Sequence, residues 1–135
     1  MAKFTVKELL MGRATESELS AELLDNAKEL VSRVNALMVD LNYTKTAKLS
    51  SGYRQPEANK AANGAKNSPH LICKAMDIID DDKQTLATLV LSKPDLLRKH
   101  GLFVENPEYT RGKWSNWLHI DSVERKDRPS RMFNP

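Results

Sequence analysis

The chain has a single cysteine among its 135 residues, so it contains no internal disulfide bond. One thiol also excludes a structural zinc site built from several cysteines. No apolar run approaches the roughly 18 residues that a membrane-spanning helix needs. The first residues, Met-Ala-Lys-Phe-Thr-Val, lack the apolar centre of a secretory signal peptide. We therefore expect a protein made in the cytoplasm without a signal peptide and without membrane insertion.

Aromatic residues are also scarce, at 6%, but hydrophobic residues reach 40% and charged residues 29%, which is typical of a globular protein. A chain of this length usually closes around one hydrophobic core. We predict a single domain, 1–135, with a helical N-terminal part at 1–42, a metal-site core at 44–121 and a basic tail at 122–135.

Neither sign of charge dominates, since the formal net charge is +3 and the pI calculated from the sequence is about 9.0. This balance mildly favours an anionic partner, such as a cell-wall polymer or nucleic acid. The basic residues of the tail are interrupted by Asp127 and Pro129 and lack the aromatic spacing of a nucleic-acid surface. We therefore do not expect nucleic acid as the partner, and we predict a solvated or anchoring segment from Arg125 onwards.

Capping signals and periodicity predict two N-terminal helices. Thr5 with Glu8, and Thr15 with Glu18, have the form of a capping box, and the first helix is predicted to end at Gly12. The second helix carries apolar residues at alternating spacings of four and three: Leu23, Ala27, Leu30, Val34, Leu37 and Leu41. This stripe predicts one buried helix face that packs against a sheet.

The remaining segments predict an α+β fold. Residues 44–68 are polar and contain glycine and proline, which predicts a long functional loop. Strands are predicted over 71–79, 102–104 and 114–120, with a helix through Leu91 and another capped by Ser92 and ended by Gly101. We expect a small antiparallel sheet that carries the metal site and packs against the N-terminal and middle helices.

Two of the three histidines stand close to carboxylates in the sequence: Ser68-Pro69-His70 precedes Asp77, and Trp117-Leu118-His119 precedes Asp121. Two imidazoles and one carboxylate give Zn²⁺ three ligands and leave the fourth position to water, as in catalytic zinc sites. Non-haem iron takes the same ligand types, usually with a tighter His-x-Asp spacing. The alternative to a metal site is a pair of ordinary polar residues near a sheet edge.

A wider pattern supports the metal site. In order, it consists of Ser51-Gly52-Tyr53-Arg54, Asn59, Ser68-x-His70, Ala75-x-Asp77 and Trp117-x-His119. This pattern resembles the D-alanyl-D-alanine carboxypeptidase and peptidoglycan endopeptidase family of zinc peptidases, which shares its fold with the Hedgehog signalling domain. The resemblance covers roughly residues 49 to 121. Residues 101–110, Gly-Leu-Phe-Val-Glu-Asn-Pro-Glu-Tyr-Thr, also resemble the small family members found in phage genomes.

The resemblance implies a zinc peptidase that hydrolyses an amide bond in the peptide stem of bacterial peptidoglycan, at the cell wall or within a phage particle with other virion proteins. By this resemblance the zinc ligands are His70, Asp77 and His119. Arg54 holds the scissile carbonyl oxygen as it gains charge, which lowers the barrier by preorganised electrostatics. Ser68 lies beside the substrate.

The chain departs from the family pattern at Asn116, where the family usually has a carboxylate that carries a proton. An amide orients water or substrate by hydrogen bonds but does not take up a proton. The carboxylates that could replace it are Glu105, Glu108 and Asp121. Asp121 is two residues after His119, so on a strand it would share its face and either reach the zinc-bound water or orient a ligand.

These departures leave a second hypothesis open, a catalytically inactive, zinc-containing virion or cell-wall-binding protein of the same fold. Cys73 is another departure, because the family commonly has glycine there. We expect Cys73 to be a small buried side chain rather than a metal ligand. Trp114 and Trp117 are expected either to line a substrate groove or to pack in the core.

Overall fold

The computed structural model describes residues 4–61, 67–112 and 115–135. Its α-helices are Val6–Leu10 (α1), Ala21–Asp40 (α2), Pro56–Ala61 (α3), Thr85–Leu91 (α4) and Pro94–Lys99 (α5). Its strands are Leu49–Ser51 (β1), Ala75–Asp80 (β2), Phe103–Glu105 (β3), Asn116–Asp121 (β4) and Met132–Phe133 (β5), and 3₁₀ turns lie at Glu16–Glu18, Pro69–Ile72 and Pro107–Tyr109. The predicted α+β class is confirmed.

The described strands form one five-stranded sheet in the order β1-β2-β4-β3-β5. All neighbours are antiparallel except β5, which runs parallel to β3. The central pair, β2 and β4, is in register from Ala75 opposite Asp121 to Asp80 opposite Asn116. Because side chains alternate along a strand, this register divides the sheet into an apolar core face and a second face with the polar residues.

Helix α2 supplies a large part of the hydrophobic core. Ser20 caps it by accepting a hydrogen bond from the backbone N–H of Leu23. Of the predicted stripe, the four central residues are fully buried and the two ends partly buried, and Val31 and Met38 widen the buried face. These side chains share one core cluster with the apolar sheet residues Met76, Ile78, Leu118 and Ile120. Each fully buried Leu or Ile stabilises the fold by about 1.5–3 kcal/mol.

Several local predictions differ from the structure. The capping box of Thr15 and Glu18 begins only a 3₁₀ turn, because α2 starts later, at Ser20. The loop predicted over 44–68 contains β1 and α3, and the strand predicted over 71–79 starts only at Ala75 after a 3₁₀ turn. Ser92 does not cap α5, since its hydroxyl donates to the carbonyl oxygen of Leu89.

The segment predicted as a solvated tail is partly built into the fold. Strand β5 lies along β3, and the side chains of Arg131 and Phe133 are buried. The guanidinium of Arg131 stacks on the ring of Phe103 at 3.7 Å from its centroid and donates to the carbonyl oxygen of Leu102. A stacked guanidinium can be buried although the sequence around it is basic.

Cys73 has a left-handed backbone, with φ of 59°, directly after the 3₁₀ turn Pro69–Ile72. Glycine adopts this conformation without strain, which gives a physical reason for the glycine that the family pattern has here. The side chain is fully buried, and burial raises the pKa of the thiol to about 11. Cys73 therefore acts as a small apolar side chain.

Among the helices that the structure describes, none combines the length and the apolar character that crossing a lipid bilayer requires.

Candidate metal centre

One row of side chains crosses the polar face of the sheet. Ser51 pairs with Asp77, Asp77 pairs with His119, and Glu105 pairs with Phe133. In the antiparallel pair of β3 and β4, Val104 lies opposite Ile120. If this register continues by one residue, Glu105 lies opposite His119. Directly paired residues have their side chains on the same face. This row therefore contains two of the three predicted zinc ligands and one of the candidate proton carriers.

The structure brings the three predicted zinc ligands together. The Oδ1 atom of Asp77 lies 2.8 Å from His119 Nδ1 and 3.3 Å from His70 Nε2. All three residues are buried, and their ligand atoms lie within 4.8 Å of one another. With bonds of about 2.0–2.1 Å, the ligand atoms of a tetrahedral zinc site lie about 3.3 Å apart. The donor set and its spacing thus fit Zn²⁺ after small side-chain shifts.

His70 is oriented by the backbone that precedes α3. Its Nδ1 lies 2.7 Å from the carbonyl oxygen of Gly52, which only accepts hydrogen bonds, so Nδ1 carries the proton. The lone pair is then on Nε2, the atom that faces Asp77. The hydroxyl of buried Ser68 accepts from the backbone N–H of His70 and fixes the start of the 3₁₀ turn. Ser68, predicted to lie beside the substrate, is thus placed next to a candidate ligand.

His119 is oriented from its other side by Asp121. Its Nε2 lies 2.9 Å from Asp121 Oδ2, while Nδ1 faces Asp77. Hydrogen bonding of the distal ring nitrogen to a carboxylate is common for metal-bound histidines and makes them stronger ligands. Of the two roles that the sequence leaves open for Asp121, this position supports orientation of a ligand, because the ring of His119 separates it from the cluster.

In the metal-free protein, a proton takes the place of the cation. Burial lowers the pKa of His119, but hydrogen bonds to Asp121 and Asp77 outweigh it and raise the pKa to about 9. Burial likewise raises the pKa of Asp77, but its hydrogen bonds to His119 and His70 hold that pKa well below its ordinary value. At neutral pH, His119 is therefore protonated on both nitrogens.

Arg54 lies at the edge of the cluster. Its Nη2 is 3.7 Å from Asp77 Oδ2, and its Nε donates to the hydroxyl of Ser51 over 3.0 Å. The backbone N–H of Arg54 also donates to the carbonyl oxygen of His70. These contacts keep a permanent positive charge beside the three candidate ligands, where the resemblance requires it.

Asn116 lies away from the cluster. It lies three positions before His119 along β4, so its side chain leaves the sheet on the opposite face. Its amide donates to the carbonyl oxygens of Asp81 and Asp82 in the turn after β2. The structure therefore gives Asn116 a turn-stabilising contact and does not bring it to the candidate metal site.

Glu105 is the carboxylate that the structure adds to the polar row. Its side chain is half-buried, and in the described part of the chain it makes no hydrogen bond or ion pair. Burial raises the pKa of Glu105, and the charges of His119 and His70 oppose this only in part, since Asp77 and Asp121 raise the pKa further. Glu108, the other glutamate suggested by the sequence, is exposed on the 3₁₀ turn Pro107–Tyr109.

Trp117 borders the cluster. Trp117 is half-buried and pairs with exposed Ile79. This pair is two residues along the strands from the pair of Asp77 and His119, so it lies on the same face of the sheet. This position fits the predicted groove better than the predicted core packing. Trp114 and the side chain of Asn59 lie outside the described residues.

A close backbone contact holds the strand end that orients His70. A Cβ atom on Gly52 would lie 2.2 Å from the carbonyl oxygen of Leu9. We therefore expect Gly52→Ala to displace the Gly52 carbonyl, to destabilise the fold by about 1–3 kcal/mol and to weaken zinc binding about tenfold. Thermal unfolding and competition with a chromophoric chelator measure both effects.

Gly12→Ala is the matched control, because a Cβ there has no heavy atom within 4 Å and meets only the strain of a φ of +72°. It should lose about 1 kcal/mol and keep its zinc affinity. Equal zinc affinity in both variants would contradict the role of Gly52.

Zinc affinity should rise with pH up to about pH 9, because below that pH a proton competes for His119 Nδ1. Chelator competition between pH 7 and 9 checks this. Asp121→Asn removes one of the charges that raise the pKa of His119, so its affinity curve should level off at a lower pH. The same wild-type affinity at pH 7 and pH 8.5 would contradict the proton competition.

The Peptidase M15 family model matches residues 2–121. The matched part contains all three residues of the cluster, together with Arg54 and Asp121. No curated protein matches the sequence. The chain therefore belongs to the Peptidase M15 family, the zinc-dependent metallopeptidases that include the D-alanyl-D-alanine carboxypeptidases.

Proposed function

We propose that this chain is a zinc peptidase that hydrolyses an amide bond in the peptide stem of bacterial peptidoglycan. The observation that carries the proposal is the convergence of three buried ligand atoms, from His70, Asp77 and His119, beside the guanidinium of Arg54. In each histidine, the ring nitrogen that faces away from Asp77 makes a hydrogen bond, to Gly52 from His70 and to Asp121 from His119. Family membership supports the reaction class, and the net charge of +3 supports an anionic cell-wall polymer as partner.

The site residues divide the work of amide hydrolysis among them. His70 Nε2, Asp77 Oδ1 and His119 Nδ1 would hold Zn²⁺, which would supply a Lewis acid for the carbonyl group and make bound water acidic. Arg54 donates hydrogen bonds to the carbonyl oxygen as it gains negative charge, a contribution that often reaches 10²- to 10³-fold in rate. Asp121 keeps the ring of His119 in its binding orientation.

Glu105 is our proposal for the group that takes a proton from the attacking water and returns it to the leaving amine. It follows Val104, which pairs with Ile120, so the continued register sets it opposite His119 on the same sheet face. Among the described residues its carboxylate makes no hydrogen bond or ion pair. The other candidates are placed less well for this role. Asp121 is held on both oxygens by Arg125, Asn116 contacts the turn at Asp81, and Glu108 is exposed.

The place of action is part of the proposal. The likeness of residues 101–110 to small phage proteins favours a phage-associated enzyme that acts at the cell wall from within the host or from a phage particle. The alternative is a zinc-containing virion or wall-binding protein without activity. It is supported by the amide at position 116, where the family usually has a carboxylate.

Digestion of purified cell walls tests the function. We expect zinc-dependent release of new amino groups, which chelation abolishes and zinc restores, and mass spectrometry of the fragments identifies the bond. His119→Ala should lose the activity while keeping the fold by circular dichroism. Zinc-dependent binding to walls without any new amino groups would instead support the inactive protein.

Exchange of Glu105 for glutamine tests the proton carrier. Glu105→Gln keeps the size of the side chain but cannot accept a proton, so kcat should fall about 10²- to 10⁴-fold. Zinc content should not change, since Glu105 is not a ligand. Glu108→Gln, the same change three residues along, should keep wild-type activity. A Glu105→Gln enzyme as active as the wild type would remove Glu105 from the mechanism.

A further inference from the structure

The residues after the family match reach the metal centre. The match ends at residue 121, and Arg125 follows four residues later. Its Nη1 and Nη2 donate to the two carboxylate oxygens of Asp121 over 2.5 and 3.1 Å, and the backbone N–H of Val123 donates to Oδ1. Asp121 is fully buried and holds His119. An unbroken chain of contacts thus runs from Arg125 through Asp121 to a candidate metal ligand.

The position of Arg125 is fixed by two aromatic rings. Its Cζ lies 3.7 Å from the ring centroid of Phe133 and 5.3 Å from that of Phe103. The ring of Phe133 also meets that of His119 edge to face, with centroids 5.7 Å apart. Phe133 is held in turn by β5, which lies along β3. A bidentate guanidinium stacked on a ring has little freedom, so it holds the carboxylate in one orientation.

Charge explains why Asp121 needs this partner. When His119 binds zinc through Nδ1 it is a neutral imidazole, and it then offers Asp121 a hydrogen bond but no positive charge of its own. A buried carboxylate without a cation nearby is unstable. The guanidinium of Arg125 is a cation that contacts both oxygens, so it balances this charge.

We propose that Arg125 is a positioning residue of the metal centre, which acts through Asp121 to hold His119 with Nδ1 towards Asp77 and His70. This inference rests on the proposed zinc site. It assigns the segment after residue 121 a part in metal binding, in addition to its part in the sheet. Residues that orient a metal ligand without touching the metal typically contribute 10- to 100-fold to metal affinity.

Metal binding to the full chain tests the inference without any assay of activity. Arg125→Met keeps a long apolar stem against Phe133 and removes the guanidinium. We expect its zinc dissociation constant, measured against a chromophoric chelator, to rise at least tenfold. The visible absorption bands of the Co²⁺-loaded protein should also change, because His119 is less well oriented. Arg125→Lys, with a charge but no bidentate contact, should give intermediate values for both.

Arg128→Met is the matched control, because it removes the same charge from an exposed side chain three residues along. It should match the wild type in zinc affinity and in the Co²⁺ spectrum. If Arg125→Met does not fold, Arg125→Lys decides, since a spectrum identical to that of the wild type would overturn the proposal.

Failure of the proposed zinc site and failure of the role of Arg125 give different results. A wild-type chain that binds no zinc would overturn the proposed metal site and with it the proposed function. A wild-type chain that binds zinc, but no more tightly than Arg125→Met, would overturn only the role of Arg125.

Discussion

The carboxylate of Asp77 lies buried between the imidazoles of His70 and His119, and a charge in such a place is stable only while its partners stay close. Register keeps His119 there. A slip of one residue between β2 and β4 would turn Asp77 or His119 to the core face and the apolar neighbours to the polar face. Ile78 and Leu118, which pair directly in the core, oppose such a slip. The hydrophobic effect therefore holds the candidate metal ligands together.

Orientation of the two histidines comes from parts of the chain that are far apart in sequence. Gly52, next to the end of α1, holds His70, and Asp121, at the end of β4, holds His119. Each bond turns the other ring nitrogen towards Asp77, so the site is shaped before any metal arrives. Preorganisation of this kind lowers the cost of ordering side chains on binding. It also couples the metal centre to both ends of the fold.

The fold class and the candidate ligands are predictable from the sequence because both leave strong local signals. The helical stripe of α2 and the order of the family motif need no knowledge of tertiary contacts. The choice among Glu105, Glu108 and Asp121 was out of reach, since it depends on strand register and on which oxygens are already bonded. The burial of Arg131 is not predictable for a related reason. A basic residue looks solvated until the ring of Phe103 is known to lie beneath it.

Cys73 has a consequence for where this protein can work. The thiol has no second cysteine to pair with, it is closed to solvent, and its raised pKa keeps it out of the reactive thiolate form. Oxidants and disulfide exchange therefore have little access to the fold. Cys73 therefore stays a free thiol in reducing and in oxidising surroundings alike.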